Sequence, residues 1–190
     1  MADPTRDHEI VSWYPLDDDV REELLTTARE AVLNWTTKDG WAVGVMHGYY
    51  WGKGSIWMTA ASHRHRMSAL RRDPRCSVVI TSTGTHLGPS KTLTIKGRCI
   101  MHEDRETKDW FYHQLAWRPG ADPEQAASFE KMLDSPLRVV MEIVPEKWIT
   151  FDGAKMAKDT AGILTDEERG PMLSSDAERL PSEMAKRGID

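Results

Sequence analysis

The apolar positions of the chain keep changing their spacing, and each change marks an element. In LDDDVREELLTTARE (residues 16–30), Val20, Leu24 and Ala28 share one stripe at i, i+4, i+8, the period of an amphipathic helix. Asp17 to Asp19 set negative charge at its start, where the helix dipole favours it. From residue 31 the pattern becomes strand-like. AVLNWTT and WAVGVMH are apolar, β-branched runs joined by Lys38-Asp39-Gly40, which predicts a hairpin. YYWGKG (49–54) reads as a turn into the strand SIWMT. SHRHRMSALRR (62–72) is helical, with Met67 and Leu70 on one face, and stops at Asp73-Pro74 because a residue before proline avoids the helical region. CSVVITS (76–82) predicts a strand and GTHLGPS (84–90) a loop. KTLTIKGRCIMHE (91–103) predicts another strand, with Gly97 as a bulge or bend.

Two helices follow, over 104–118 and 124–134, separated by PGADP. SPLRVVMEIVPEKWITFDG (135–153) is a long last strand, with an interruption expected at Pro145. Residues 1–30 thus form an arm and helix, the arm anchored by Trp13, Tyr14 and Pro15. Residues 31–153 form the main domain. Residues 154–190 are polar and punctuated by Gly and Pro, the composition of a tail that is loose or wraps a neighbour. Strands in meander order with short turns favour a mainly β fold with flanking helices: an antiparallel barrel of six or so strands, rather than a parallel doubly wound sheet. Neither a Rossmann glycine fingerprint nor a P-loop is present in the sequence.

The 190 residues suit one domain with an appendage. MADPTRDHEIVSW has no apolar stretch of secretory length, no run is long enough to span a bilayer, and Cys76 and Cys99 fall in strands as free thiols rather than a disulfide framework. These features predict a cytoplasmic protein. The net charge of −5 argues against nucleic acid as a partner. Against that acidity, residues 56–75, IWMTAASHRHRMSALRRDPR, carry five arginines and two histidines. A strand ends near Thr59, a polar turn follows, and a helix is expected to start near Ser62. Unpaired N–H groups at a helix start attract anions. A hydroxyl from Thr59 or Ser62 adds a donor, and Arg64 and Arg66 add the planar charge that grips phosphate or carboxylate. Charge concentrated there in an acidic chain points to a small anionic partner.

The order of these pieces — the KDG hairpin, the strand into MTAAS, RRDPRCSVVI, TLTIKGRCIMHED and VPEKWITFDGAK — resembles the FMN-binding split β-barrel superfamily of pyridoxamine 5′-phosphate oxidase. It is more similar still to its flavin- and deazaflavin-dependent oxidoreductases, over roughly residues 25 to 155. The resemblance implies a split barrel, a homodimer with two cofactor sites at the interface, and FMN or, alternatively, the deazaflavin coenzyme F-420 as cofactor. It places Trp57, Met58 and Thr59 along the flavin. It puts the phosphate on His65 and Arg66, with Arg64 as a substitute for His65, whose charge depends on its surroundings. It matches Lys91 or Thr92 to a polar residue that reaches the flavin ring, Trp148 to a tryptophan near the cofactor of the other subunit, and Lys155 to a further basic residue. Two features depart from the oxidase: FDGAKMAKDTAG lacks the arginine and histidine that hold pyridoxal phosphate, and WAVGVMHG lacks the arginine and lysine offered to the flavin.

The implied activity is hydride transfer between the cofactor and a small conjugated substrate, in which the cofactor supplies the chemistry and no protein acid or base stands out. The alternative is a non-catalytic flavin or haem carrier on the same barrel. A metal site is not expected, because His63 and His65 are two residues apart with no carboxylate or cysteine at ligand spacing. Most of the eight tryptophans are expected in core or dimer interface, and the apolar surface beyond one small barrel's needs fits the homodimer.

Overall fold

The computed structural model describes residues 10–188. After a 3-10 turn at Val11–Trp13 come α1 (Asp18–Thr27), β1 (Glu30–Thr36), β2 (Ala42–Gly48), β3 (Tyr50–Gly52), β4 (Ser55–Ala61), α2 (His65–Arg72), β5 (Arg75–Thr81), β6 (Lys91–His102), α3 (Arg105–Ala116), α4 (Pro123–Leu133), β7 (Arg138–Asp152), α5 (Gly153–Thr160) and α6 (Ser174–Arg187). The seven strands make one antiparallel, curled sheet in the order β2-β1-β5-β6-β7-β4-β3: the antiparallel barrel expected from the strand pattern, with seven strands rather than six or so, and the split barrel that the family resemblance implied. The stretch expected as a plain turn at 49–54 contains β3, which pairs Tyr50 with Trp57 and Gly52 with Ser55. Three residues are too few to show a period, so that strand was not legible beforehand.

Alternation selects the core. Leu33 of β1, Val78 and Ile80 of β5, Leu93 and Ile95 of β6, and Met141 and Ile143 of β7 all point inward and are buried. At about 25 cal/mol per Å² of apolar surface, each such side chain contributes roughly 1.5–3 kcal/mol. Cys76 and Cys99 join this core as free thiols. Burial pushes both up to about 12, so neither is a nucleophile at neutral pH. On the outer face of β4 and β7 a second cluster forms, in which Phe111, Tyr112 and Leu115 of α3 and Leu133 of α4 cover Trp57 and Val140.

Gly97 carries the bulge expected of it. The β6–β7 register shifts between Lys96↔Lys147 and Gly97↔Pro145, leaving Glu146 as the extra residue. A Cβ on Gly97 would sit 2.3 Å from the Val144 carbonyl oxygen, so only glycine allows the strands to close there. The bulge also corrects the expected interruption at Pro145: β7 runs unbroken from Arg138 to Asp152, because a bulge is a place where a strand tolerates proline.

The tail is likewise different from the expectation. Residues 153–173 fold back onto the arm of their own chain. Lys155 pairs with Asp17 at 2.7 Å. Asp159, fully buried, takes the Tyr14 hydroxyl at 2.8 Å and Arg169 at 2.8 Å. The Gly170 N–H donates to the Trp13 carbonyl. Polar composition concealed this, because the segment is held by ion pairs rather than by an apolar stripe. Among the described residues no helix is long and apolar enough to cross a membrane.

Candidate anionic-ligand site

The basic turn sits where β4 leaves the sheet. β4 pairs with β7 throughout, Thr59 opposite Val140 and Ala61 opposite Arg138. On its other side β3 reaches only Trp57, so no strand pairs with β4 on that side beyond Trp57. The Ser62 N–H donates to the Leu137 carbonyl at 2.7 Å and the Arg64 N–H to the Ala61 carbonyl at 3.0 Å, which folds residues 61–64 into a tight corner. α2 begins three residues later than expected, at His65, with Arg64 as its N-cap and no capping side chain. Ser62 is therefore part of the corner rather than a cap. His63, Arg64 and His65 are exposed, while Arg66 turns inward and is half-buried.

The charge of Arg66 acts on a histidine of another element. His47 of β2 faces inward and is only 9% exposed. Its Nε2 and the Arg66 Nε are both buried and neither has a hydrogen-bond partner. Burial, then the charge of Arg66, holds His47 down to about 4, so it is neutral at neutral pH. Burial, then Arg64, lowers Arg66. A buried polar group without a partner costs about 1–3 kcal/mol, and each of these two nitrogens is in that state.

A cationic cavity of about 550 Å³ opens between the ends of α1 and α3 and the β2–β3 corner, within the usual size of small-molecule pockets. Tyr49, Tyr50 and Trp117 form walls, and Arg29, Gln114 and Arg118 supply polar edges. The Arg118 Nη2 is buried without a partner. Burial, then the charge of Arg29, lowers its guanidinium from its ordinary value, and Arg29 itself donates to the Pro119 carbonyl at 3.5 Å. Among the described residues no carboxylate pairs with Arg66 or Arg118. Tyr49 shares the inward face of its segment with His47, and its hydroxyl donates to the Leu25 carbonyl at 2.8 Å. Arg29, Arg118 and Tyr49 are contributed by three distant segments, and no local pattern marked them.

The remaining expected site residues are placed as follows. Met58 lies wholly in the barrel core. Trp57 is covered by α3, packs edge-on against Trp110 at 4.8 Å and donates to the Gly52 carbonyl. The Thr59 hydroxyl donates to the Val139 carbonyl at 2.8 Å. These three leave their strand's backbone edge, rather than their side chains, as the surface nearest the turn. Lys91 is tied to Asp152 at 3.1 Å, and Thr92 lies opposite Thr81 and Phe151 in the sheet. Trp148 packs edge-on against Trp51 at 6.0 Å, beneath Arg21 at 5.1 Å. Lys155 is spent on Asp17. Only the arginine-rich turn thus retains unpaired charge among the residues singled out from sequence. Among the described residues no three His, Cys, Asp or Glu side chains come together as a metal site.

The curled seven-stranded antiparallel sheet with its flanking helices defines the class, a split barrel. Residues 17–152 match the pyridoxamine 5′-phosphate oxidase family, and the chain belongs to it. No curated protein matches the sequence. Among solved structures, the conserved hypothetical protein Rv2991 of Mycobacterium tuberculosis superposes with a TM-score of 0.65 at 19% identity, over 76% of this chain and 89% of its own. An F420 reductase superposes with a TM-score of 0.51 at 17% identity, over 67% of this chain and 94% of its own. HutZ, the haem storage protein of Vibrio cholerae, gives 0.55 at 14% identity, over 70% and 94%. At these identities the likeness is one of fold.

Proposed function

We propose that this protein is a flavin- or deazaflavin-dependent oxidoreductase that moves a hydride between its bound cofactor and a small conjugated, anionic substrate. The observation that carries the reading is a pair of half-buried arginines, Arg66 and Arg118, each with a buried nitrogen that has no partner and, among the described residues, no carboxylate beside it. An acidic protein that keeps buried arginines uncompensated gains nothing in stability from them, which fits ligands that bring the missing negative charge. The donor set suits a phosphorylated flavin: Arg64 and Arg66 for the phosphate, the free edge of β4 for the ring's polar rim, and hydroxyls rather than acids nearby. When bound, the cofactor supplies the hydride chemistry.

The protein's own part is to position and to exclude water. Arg118 and Arg29 hold the acidic group of the substrate, and Tyr50 and Trp117 flank its planar body. Neutral His47 keeps the inner wall uncharged until the anion arrives. The bare outer faces of β1, β2 and β5, with exposed Met46 and the protruding Trp41, support a homodimer in which each protomer closes the other's site, and the free thiols fit a cytoplasmic setting.

The test is a visible spectrum and mass analysis of the purified protein, followed by titration with FMN and with coenzyme F-420. Tight binding of one of them, with its reduced form oxidised by an added electron acceptor on the enzyme, is the expected result. Binding without turnover would favour the carrier reading, which the likeness to a haem storage protein also supports. Binding of neither by a folded protein would overturn the proposal.

A further inference from the structure

The cavity between α1, α3 and the β2–β3 corner is lined by two arginines, Arg29 and Arg118, and by no acid among the described residues. Three of its aromatic walls have already spent their polar tips. The Tyr49 hydroxyl donates to the Leu25 carbonyl, the Trp51 indole N–H to Glu22 at 2.9 Å, and the Trp117 indole N–H to Glu130. An aromatic side chain whose polar atom is satisfied elsewhere offers a ligand its ring alone. Arg118 is the opposite case. Its Nη2 is buried and has no hydrogen-bond partner among the described residues. The residue sits just past α3, where the Trp117 N–H closes the helix on the His113 carbonyl and the Ala121 N–H turns back to the Arg118 carbonyl, both at 2.9 Å. Its backbone is therefore fixed while its charge is left open.

We infer that this cavity is a binding site for a planar aromatic carboxylate, with the carboxylate on Arg118, Arg29 at the rim, and the ring against Tyr50 and Trp117. The inference rests on the reading of Arg118 as a substrate contact and names the class of that substrate. The donors and the walls choose the class together. A guanidinium is a planar fork that matches the two oxygens of a carboxylate in one plane. The buried nitrogen is an unmade hydrogen bond, which an acceptor oxygen completes. Arg29, which is exposed, adds attraction from the rim without being desolvated. The spent aromatic tips leave flat apolar surface, which favours a conjugated ring over a sugar or another hydroxyl-rich body. The cavity of about 550 Å³ admits two fused rings. Binding changes no bond in the ligand.

The probe is 2-naphthoate, a fused aromatic carboxylate that stays ionised at pH 7.5, titrated into the whole chain by calorimetry. It is expected to bind once per chain. 2-Naphthalenemethanol keeps the rings without the charge and is expected to bind about tenfold more weakly or worse. Cyclohexanecarboxylate keeps the charge without the flat ring and is expected to bind about fivefold more weakly. Arg118→Met weakens 2-naphthoate by about tenfold or more, and Arg118→Lys, which keeps the charge but not the fork, by about threefold or more. The lysine variant carries the test should the methionine variant fail to fold. No binding of 2-naphthoate, equal binding of the alcohol, or undiminished affinity in the Arg118 variants would overturn the assignment. 2-Naphthoate bound by a protein that takes neither FMN nor coenzyme F-420 would sink the oxidoreductase reading and leave the carboxylate site standing. Turnover with a bound flavin and no binding of 2-naphthoate would do the reverse.

Discussion

Two regions of the molecule bury cations, and they do so in opposite ways. Along the seam between arm and tail, Lys91, Lys155 and Arg169 each meet a carboxylate: Asp152, Asp17 and Asp159. Arg66 and Arg118 meet none among the described residues, and there their buried nitrogens have no hydrogen-bond partner. The difference separates charge that builds the fold from charge held for something else. A buried ion pair is close to neutral in net stability, but removing one partner is costly. A buried cation without a partner is a standing cost that a ligand offsets.

The comparison can be broken most sharply at the seam. Asp159→Ala removes the buried acceptor that lies 2.8 Å from both Arg169 and the Tyr14 hydroxyl, leaves Arg169 its longer contact to Asp166 at 3.5 Å, and is expected to cost about 3 kcal/mol or more, read as a large drop in midpoint on urea unfolding, with anion affinity unchanged in whatever protein stays folded. If Asp159→Ala is neutral, the seam is not structural and the contrast collapses.

Acid should act on the other region. His47 is held near 4, against about 6.5 when unfolded. The unfolded chain therefore binds the extra proton first, and stability falls as pH drops from about 6.5 towards 4. The loss reaches up to about 3 kcal/mol at the bottom of that window. Urea titrations at pH 7.5 and 4.5 should show this loss in the natural protein and a smaller one in His47→Leu; equal losses would remove His47 as the cause.

Lys91→Met sharpens the line between the regions. It leaves Asp152 buried without its cation and is expected to cost about 1–2 kcal/mol, while FMN affinity shifts by less than about threefold. A large affinity loss with no change in stability would move Lys91 across to the ligand side. The smallest effect is expected from Arg118→Met, which removes an uncompensated charge. Thermal unfolding should show it unchanged or up to about 1 kcal/mol more stable, with turnover of an anionic substrate falling at least tenfold through KM. A marked loss of stability would mean that Arg118 is structural after all.

How much of this could be read beforehand differs from element to element. The helix stripe of Val20 and Leu24, the alternation in β5 and β6, and Gly97 at its bulge were all legible, because each is a short-range consequence of side-chain period or of a missing Cβ. β3 was not, being too short to show a period. The seam was not, because Asp159 and Tyr14 are far apart in the chain and their pairing has no local signature. Within the site, the turn at Ser62–Arg66 stood out by its charge. His47 did not: a histidine in an apolar strand gives no sign of whether it will meet an acid or an arginine.

By itself, then, the sequence determined the antiparallel barrel, the place where positive charge gathers, and the thiols' burial, since these follow from local pattern and composition. Only the tertiary structure decided which cations are paired and which are left open. Whether a lysine is spent on an aspartate depends on segments that meet only when the sheet curls, and the electrostatic value of a charged group is set by that company and by its burial.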